Sequence, residues 1–368
     1  MPPASDPVAS GEKIPYTGLP TVNPNETIVP GKMRSDREEL PEGYTKEEAD
    51  KTEIWEAQLL KQKSMQRGVN ALAAPTDCKP YWPVYNIQVC GEIRVKYDSL
   101  GGSTSFLGPP TAGDVANPDN YGRRQTFLNG PIYWSPATGA HPVVNSFLNR
   151  WGVHRYEAGW LKYPTTDEIV LPDGGRRQEF QTGAIYVAVQ NAIGSAIPNG
   201  PIRDKWNSVG AQAGPLGYLS SDEFAVNKNG GKYHNFVNGT ITWSQPTGAR
   251  LLFGVVRDRW AQFGREDGAM GYPTGDEQVA PDGIGHIANF EDGSSIYSYP
   301  LLGAWRVPTA LLNIFAVYGS EAGSLGYPVA AARVPASGAN DLVQRFQHGA
   351  ILYYDRGDTY DFSVAYHG

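Results

Sequence analysis

The side chains that could do chemistry in this sequence are few and scattered. Six histidines, His141, His154, His234, His286, His348 and His367, form no His-Glu-x-x-His, and the chain has no Gly-x-Ser-x-Gly elbow and no phosphate-binding glycine loop. The histidines read as surface or turn residues. Carboxylates pair at Asp167/Glu168, Asp222/Glu223 and Asp276/Glu277, with Asp114 alone. A glycosidase needs two carboxylates roughly 5 to 9.5 Å apart across one bond. A pair recurring at equivalent places reads instead as structural, accepting backbone N–H groups in turns or capping a neighbouring element, with calcium binding a smaller alternative. The remaining chemistry belongs to aromatic rings. An exposed Tyr or Trp gives a neutral polysaccharide a flat face for sugar C–H groups, with Asn, Asp and Arg nearby to bond hydroxyls.

Cys78 and Cys90 stand 12 positions apart with no histidine at ligand spacing, so they cannot complete a zinc site. A disulfide is expected in preference to two free thiols. It would contribute roughly 3 kcal/mol and would place the chain in an oxidising, extracytoplasmic compartment.

The elements that must hold these residues follow from self-comparison. Leu107, Leu161, Leu216, Met270 and Leu325 open five aligned segments at spacings of 54, 55, 54 and 55 residues. Fourteen positions earlier stand Ile93, Phe147, Ile202, Val256 and Leu311, followed at i+4 by Tyr97, Trp151, Trp206, Trp260 and Phe315. That spacing predicts one buried face of a short helix. Gly101, Gly210, Gly264 and Gly319 fall where such a helix ends in a left-handed residue, and Arg155 in the second copy predicts a different cap there. A Leu-Gly-Tyr-Pro turn comes next, with Lys162 replacing its glycine in the second copy, then Phe-x-x-Gly and a β-rich run. The predicted repeat is helix, turn, hairpin.

Within the hairpin, Ile132 and Trp134 share one face and Tyr133 the other. If the isoleucine faces the core, Tyr133, Tyr186, Thr242, Tyr297 and Leu352 are expected to face outward. The strand-end positions, Trp134, Val187, Trp243, Ser298 and Tyr353, vary in the way a surface does. Both faces are candidates, so the candidate glycan-contacting residues are Tyr133, Trp134, Tyr186, Trp243, Tyr297 and Tyr353. No catalytic residue, metal or cofactor is expected.

Composition narrows the rest. Forty-three glycines and 29 prolines against four methionines indicate tight turns and short elements. A net charge of −7 provides no basic field for nucleic acid. No apolar run approaches the roughly 20 residues of a transmembrane helix, and the start MPPASDPVASGEK is no export signal, so a secreted chain would have lost its signal already. Twenty-one of the first 75 residues are charged and eight prolines precede residue 45. Residues 1–44 are therefore expected to be a disordered or extended linker. A helical arm is expected over 45–75, opening with a capping box at Thr45 and Glu48 and docking through Ile54, Trp55, Leu59, Leu60 and Met65. Residues 76–368 form the five-repeat domain, with copies at about 90–143, 144–198, 199–252, 253–307 and 308–368. A unit of about 54 residues has too little interior to stand alone, and neither terminal copy looks like a polar cap. The expected fold is α+β, mainly β, a closed propeller-like array with the C-terminal strand beside the first helix.

The Leu-Gly-Tyr-Pro turn, the Phe-x-x-Gly-x-Ile-Tyr-Trp hairpin and the Thr-Gly-Ala turn resemble the LGFP repeat of secreted actinobacterial proteins, over roughly residues 90–368. The first copy departs as Leu-Gly-Pro-Pro and the third as Leu-Gly-Tyr-Leu, and the fifth lacks the acidic pair. The resemblance implies pseudo-fivefold symmetry and a location in the cell envelope. It also implies a role in holding a mycolyltransferase-type esterase or a peptidoglycan-cleaving domain on the cell wall, with arabinogalactan as the glycan. It carries no catalytic residue. The expected function is a non-catalytic, wall-polysaccharide-binding module. The alternatives are a protein-interaction scaffold using residues 1–75, or an accessory part of a wall hydrolase or mycolyltransferase.

Overall fold

The computed structural model describes residues 13–15, 27–40, 43–66, 77–189, 192–335 and 341–366. Contacts divide the chain into two units, Met1–Gly194 and Ser195–Gly368. Among the described residues it is mainly β, with small antiparallel sheets of two to four strands and seven α-helices, and no sheet closes into a barrel.

The first unit begins with a short helix α1 (Arg34–Arg37) and the long helix α2 (Lys46–Gln66). The capping box forms as the sequence predicts: Thr45 N donates to Glu48 Oε2 at 3.1 Å and Glu48 N to Thr45 Oγ1 at 3.3 Å. Of the expected apolar stripe the side chains of Leu59, Leu60 and Met65 lie outside the described residues, and the face that is described differs from it. Ala49, Thr52 and Glu53 are buried, while Ile54 and Trp55 are only half-buried. Polar contacts explain the choice. Glu53 Oε2 accepts the Arg34 backbone N–H at 2.6 Å, and Lys46 bridges Asp36 at 2.7 Å and Asp50 at 3.0 Å. Burying these carboxylates beside their donors and a cation avoids the cost of leaving them unpaired. The segment expected to be extended thus contains fully buried Met33 and Ser35, whereas residues 1–12, 16–26 and 67–76 lie outside the described residues. Helix α2 packs on an antiparallel hairpin, Cys78–Tyr81 with Val84–Cys90, whose ends are joined by the Cys78–Cys90 disulfide.

The repeats start with helices α3 (Gly91–Leu100), α4 (Asn145–Val153), α5 (Pro201–Ser208), α6 (Gly254–Gln262) and α7 (Thr309–Val317). Each buries the predicted pair, such as Phe147 with Trp151 and Val256 with Trp260. The aromatic member also anchors the turn that follows: Trp151 Nε1 donates to Lys162 O at 3.1 Å, Trp206 to Gly217 O at 3.1 Å, Trp260 to Gly271 O at 3.0 Å, and Tyr97 Oη to Gly108 O at 2.6 Å. The Phe of Phe-x-x-Gly packs on the same ring, as in Tyr97–Phe127 at 4.3 Å and Phe315–Phe346 at 4.6 Å. Each repeat core is helix aromatic, motif leucine and hairpin phenylalanine.

The expected exception at the second cap does not occur. Arg155 takes the left-handed conformation itself, φ 67°, as do Gly101, Gly210, Gly264 and Gly319, and Lys162 takes φ 59° where the other copies use glycine. The cap bond from Arg155 N to Gly152 O, 2.9 Å, fixes the geometry whatever the side chain.

After the turn the chain makes a meander larger than the expected hairpin. In the first copy Val115–Ala116, Arg123–Phe127, Gly130–Ser135 and Gly139–Pro142 pair in order. The third copy repeats this with Phe224–Ala225, Lys232–Phe236, Gly239–Ser244 and Gly248–Phe253. Within each unit successive copies are tied by contacts of three kinds, not all present at every junction. Asp167 pairs with Lys96 at 2.9 Å, and Lys205 pairs with Asp276. The turn tyrosine reaches back, Tyr163 Oη to Asp119 at 2.8 Å, Tyr272 to Lys228 O at 2.8 Å and Tyr327 to Asp282 at 2.7 Å. Buried glutamines bridge strands, Gln178 Nε2 to Pro142 O at 2.8 Å and Gln344 Nε2 to Arg306 O at 2.9 Å.

Candidate functional site

Trp134 and Trp243 end equivalent strands, and the turn after each is fixed the same way. Ser135 Oγ meets Thr138 Oγ1 at 2.7 Å and Ser244 Oγ meets Thr247 Oγ1 at 2.7 Å, with Gly139 and Gly248 at positive φ. Each tryptophan sits between a cation and an alanine on the neighbouring strands: Arg123 and Ala140 beside Trp134, Lys232 and Ala249 beside Trp243. The small alanine cannot cover the ring, which stays half-buried. The cation is held by the carboxylate seven residues after the motif leucine, Arg123 Nε to Asp114 at 2.7 Å and Lys232 Nζ to Glu223 at 2.8 Å.

The opposite wall of each cleft is the start of the repeat's own helix. Cys90, Gly91 and Ile93 line the first, with a cavity of about 340 Å³. Asn199, Gly200 and Ile202 line the third, with about 140 Å³. Small-molecule sites run from roughly 300 to 1,000 Å³. The first cleft therefore reaches that range, and the third offers a shallower version of the same walls.

The other copies keep parts of the arrangement. In the second, Glu168 pairs with Arg176, but Val187 replaces the ring and is buried. In the fourth, Glu277 pairs with His286 Nδ1 at 2.9 Å beside buried Ser298. Burial pushes the Glu277 carboxyl up to about 7, against a bond from Phe253 N that lowers it. In the fifth, half-buried Tyr353 stacks on Tyr360 at 5.4 Å, with Leu342 opposite in place of a cation.

The other face of the strand is closed, which corrects the outward placement expected from alternation. Tyr133, Tyr186 and Tyr297 are 5%, 2% and 6% exposed. Tyr133 packs edge-on to Trp151 of the next helix at 4.6 Å, and Tyr297 likewise on Phe315 at 5.4 Å. In the first and fourth copies the strand is internal to its meander and the following helix covers its second face, so both side-chain sets are buried and only the strand end opens. Of the six candidate rings, Trp134, Trp243 and Tyr353 keep accessible surface.

The acidic pairs divide their work. The second member pairs with Arg176, Lys232 or His286, while the first ties copies together: Asp167 accepts from Lys96 and lies 2.6 Å from His141 Nδ1, and Asp276 Oδ1 accepts Leu251 N at 3.2 Å. Burial opposes ionisation of Asp167, yet His141 and Lys96 hold its carboxyl below the usual range. Among the described residues no three His, Cys, Asp or Glu side chains gather as a metal site, and no helix is long and apolar enough to cross a membrane. The histidines are not all at the surface. His234 is fully buried where the first, second and fifth copies have Gln125, Gln178 and Gln344, and His367 lies outside the described residues.

Arg123 and Lys232 went unrecognised in the sequence, although both stand 16 residues after their motif leucine and 11 before their tryptophan. That shared register was the available signal.

No curated protein matches the chain. Among solved structures, the extracellular domain of a hybrid two component system from B. thetaiotaomicron aligns at 11% identity over 69% of this chain and 27% of its own, TM-score 0.14. A second structure from B. thetaiotaomicron, the extracellular domain of a one component system, aligns at 10% identity with the same coverage and TM-score. The chain thus spans about a quarter of the length of those proteins. The LGFP repeat matches residues 107–159, 161–214, 216–268 and 270–323, four consecutive copies over more than half the chain, with the copy from Leu325 beyond them. The chain belongs to the LGFP repeat family, a non-catalytic repeat module.

Proposed function

We propose that this chain binds cell-wall polysaccharide outside the cytoplasm, without catalysing a reaction, and so positions a partner or fused enzyme on the wall. The observation that carries the reading is the half-open ring of Trp134 and Trp243 at equivalent clefts, each beside a fixed ion pair. A ring face with charged hydrogen-bonding groups at its edge suits a sugar better than it suits a peptide strand or a phosphate. The Cys78–Cys90 disulfide supports an oxidising compartment. Weak sites on one chain gain strength by engaging the same polymer. The reading includes a closed five-repeat arrangement, since units of about 54 residues have too little interior to stand alone, and arabinogalactan as the polymer. The scaffold alternative draws no support from α2, whose buried face lies on the chain's own α1 and first hairpin.

Co-sedimentation with insoluble wall arabinogalactan tests the proposal. Retention that competes with soluble arabinogalactan is expected. Recovery of all the protein in the supernatant would remove wall binding from the account.

A further inference from the structure

The two tryptophan clefts share more than a ring. Measured from the motif leucine, a carboxylate stands at +7, a cation at +16 and a tryptophan at +27 in both the first and third copies. The fold brings the three to one cleft mouth, with Arg123 opposite Trp134 and Lys232 opposite Trp243 across the strand pair. A paired carboxylate and cation present an acceptor and a donor side by side. Two adjacent sugar hydroxyls, each able to donate and accept, match that pair. The charges cancel at the third cleft, and Glu92 adds a negative charge to the first, so neither cleft offers net attraction to an anionic sugar.

We propose that the first and third copies hold two subsites for neutral sugar rings, stacked on Trp134 or Trp243. Two neighbouring hydroxyls of each ring bond Asp114 with Arg123, or Glu223 with Lys232. The second, fourth and fifth copies are not subsites, since each lacks either the accessible ring or the ion pair: Val187, Ser298 and the uncharged Leu342 take the corresponding places. This proposal rests on the polysaccharide-binding reading and narrows it to two of five repeats and to uncharged ligands.

Affinity electrophoresis of the full chain separates the two levels, using gels containing soluble arabinogalactan, polygalacturonate or no polymer. The wild-type chain is expected to be retarded by arabinogalactan and not by polygalacturonate. Trp134→Ala and Trp243→Ala should each weaken the apparent affinity by about tenfold, one ring contact apiece, and the double variant should run as if no polymer were present. Asp114→Ala with Glu223→Ala should weaken binding with both rings in place, which simple adhesion to an apolar ring would not. Tyr353→Ala should match the wild type. Circular dichroism and thermal melting identify any variant that has lost its fold, and in that event Trp134→Phe and Trp243→Phe replace it, with a smaller loss expected. Wild-type retardation in a folded double variant would overturn the subsites while leaving wall binding intact. Tighter binding to polygalacturonate would overturn the neutral class. An unretarded wild type would remove the parent reading as well.

Discussion

Trp151 and Trp134 are the same side chain in different situations, and the surroundings of the indole decide which. Trp151 is fully buried and donates its N–H to Lys162 O, as Trp206 does to Gly217 O. Trp206→Ala is therefore expected to cost about 3 to 5 kcal/mol in denaturant titrations, the usual range for emptying a core of a large aromatic. Trp243→Ala at the half-open rim should cost less than about 2 kcal/mol on the same measurement. The buried ring was legible in the sequence because it recurs at i+4 from an apolar partner in every copy. The open ring was only half legible, since alternation assigns a face but cannot say that a following helix will cover it. Glu277 makes a pH prediction. Its carboxyl is raised in the folded state to about 7 from the ordinary 4.5, so the folded chain holds this proton more tightly than the unfolded one. Its contribution to stability is then present below pH 4.5 and is lost as pH rises through 7. Glu277→Gln should flatten the fall in Tm between pH 5 and pH 7. An unchanged slope would refute the burial argument.

At the scale of elements, the second copy departs from the rest at two turn positions. Arg155 and Lys162 hold left-handed conformations that the other copies give to glycine. A left-handed non-glycine residue costs roughly 1 to 2 kcal/mol, offset in part by glycine's larger entropy loss on folding. Arg155→Gly or Lys162→Gly is therefore expected to stabilise by about 1 kcal/mol, read as a rise in thermal midpoint. The reverse holds at Gly231, where an added Cβ would lie 1.9 Å from Tyr272 Oη and 2.7 Å from Trp243 O. Gly231→Ala should destabilise by about 1 to 3 kcal/mol through overpacking. It should also disturb the third cleft, because it presses on the strand that carries Trp243. The helix, turn and hairpin were all readable from spacing. The outer strands were not, because Val115–Ala116 and Gly139–Pro142 are too short for periodicity to register. Nor was the backward reach of Tyr163, which sequence alignment shows as part of a turn and only the fold shows as a clamp.

For the whole molecule, the 54-residue period was the strongest feature of the sequence, and it set the order of elements through both units. How the copies share charge was hidden. The first acid of two of the three pairs answers a lysine 71 residues earlier, Lys96 for Asp167 and Lys205 for Asp276, a separation no local pattern reveals. Within the segment expected to be extended, the burial of Met33 and Ser35 was hidden for a similar reason, since it rests on contacts that polar composition cannot announce. The disulfide closes the hairpin that leads into the first repeat helix, and Cys90 also lines the first cleft. Replacing Cys78 and Cys90 together by serine is expected to lower stability by about 3 kcal/mol. Wall-glycan recognition by open tryptophans is the central claim, and indole N–H resonances of the nitrogen-15-labelled chain, followed while soluble arabinogalactan is added, test it most directly. The account predicts that two signals shift, those missing from Trp134→Phe and Trp243→Phe, while those of Trp151, Trp206 and Trp260 stay in place. A spectrum unchanged at saturating polymer, or one in which the buried indoles move and those two do not, would contradict it.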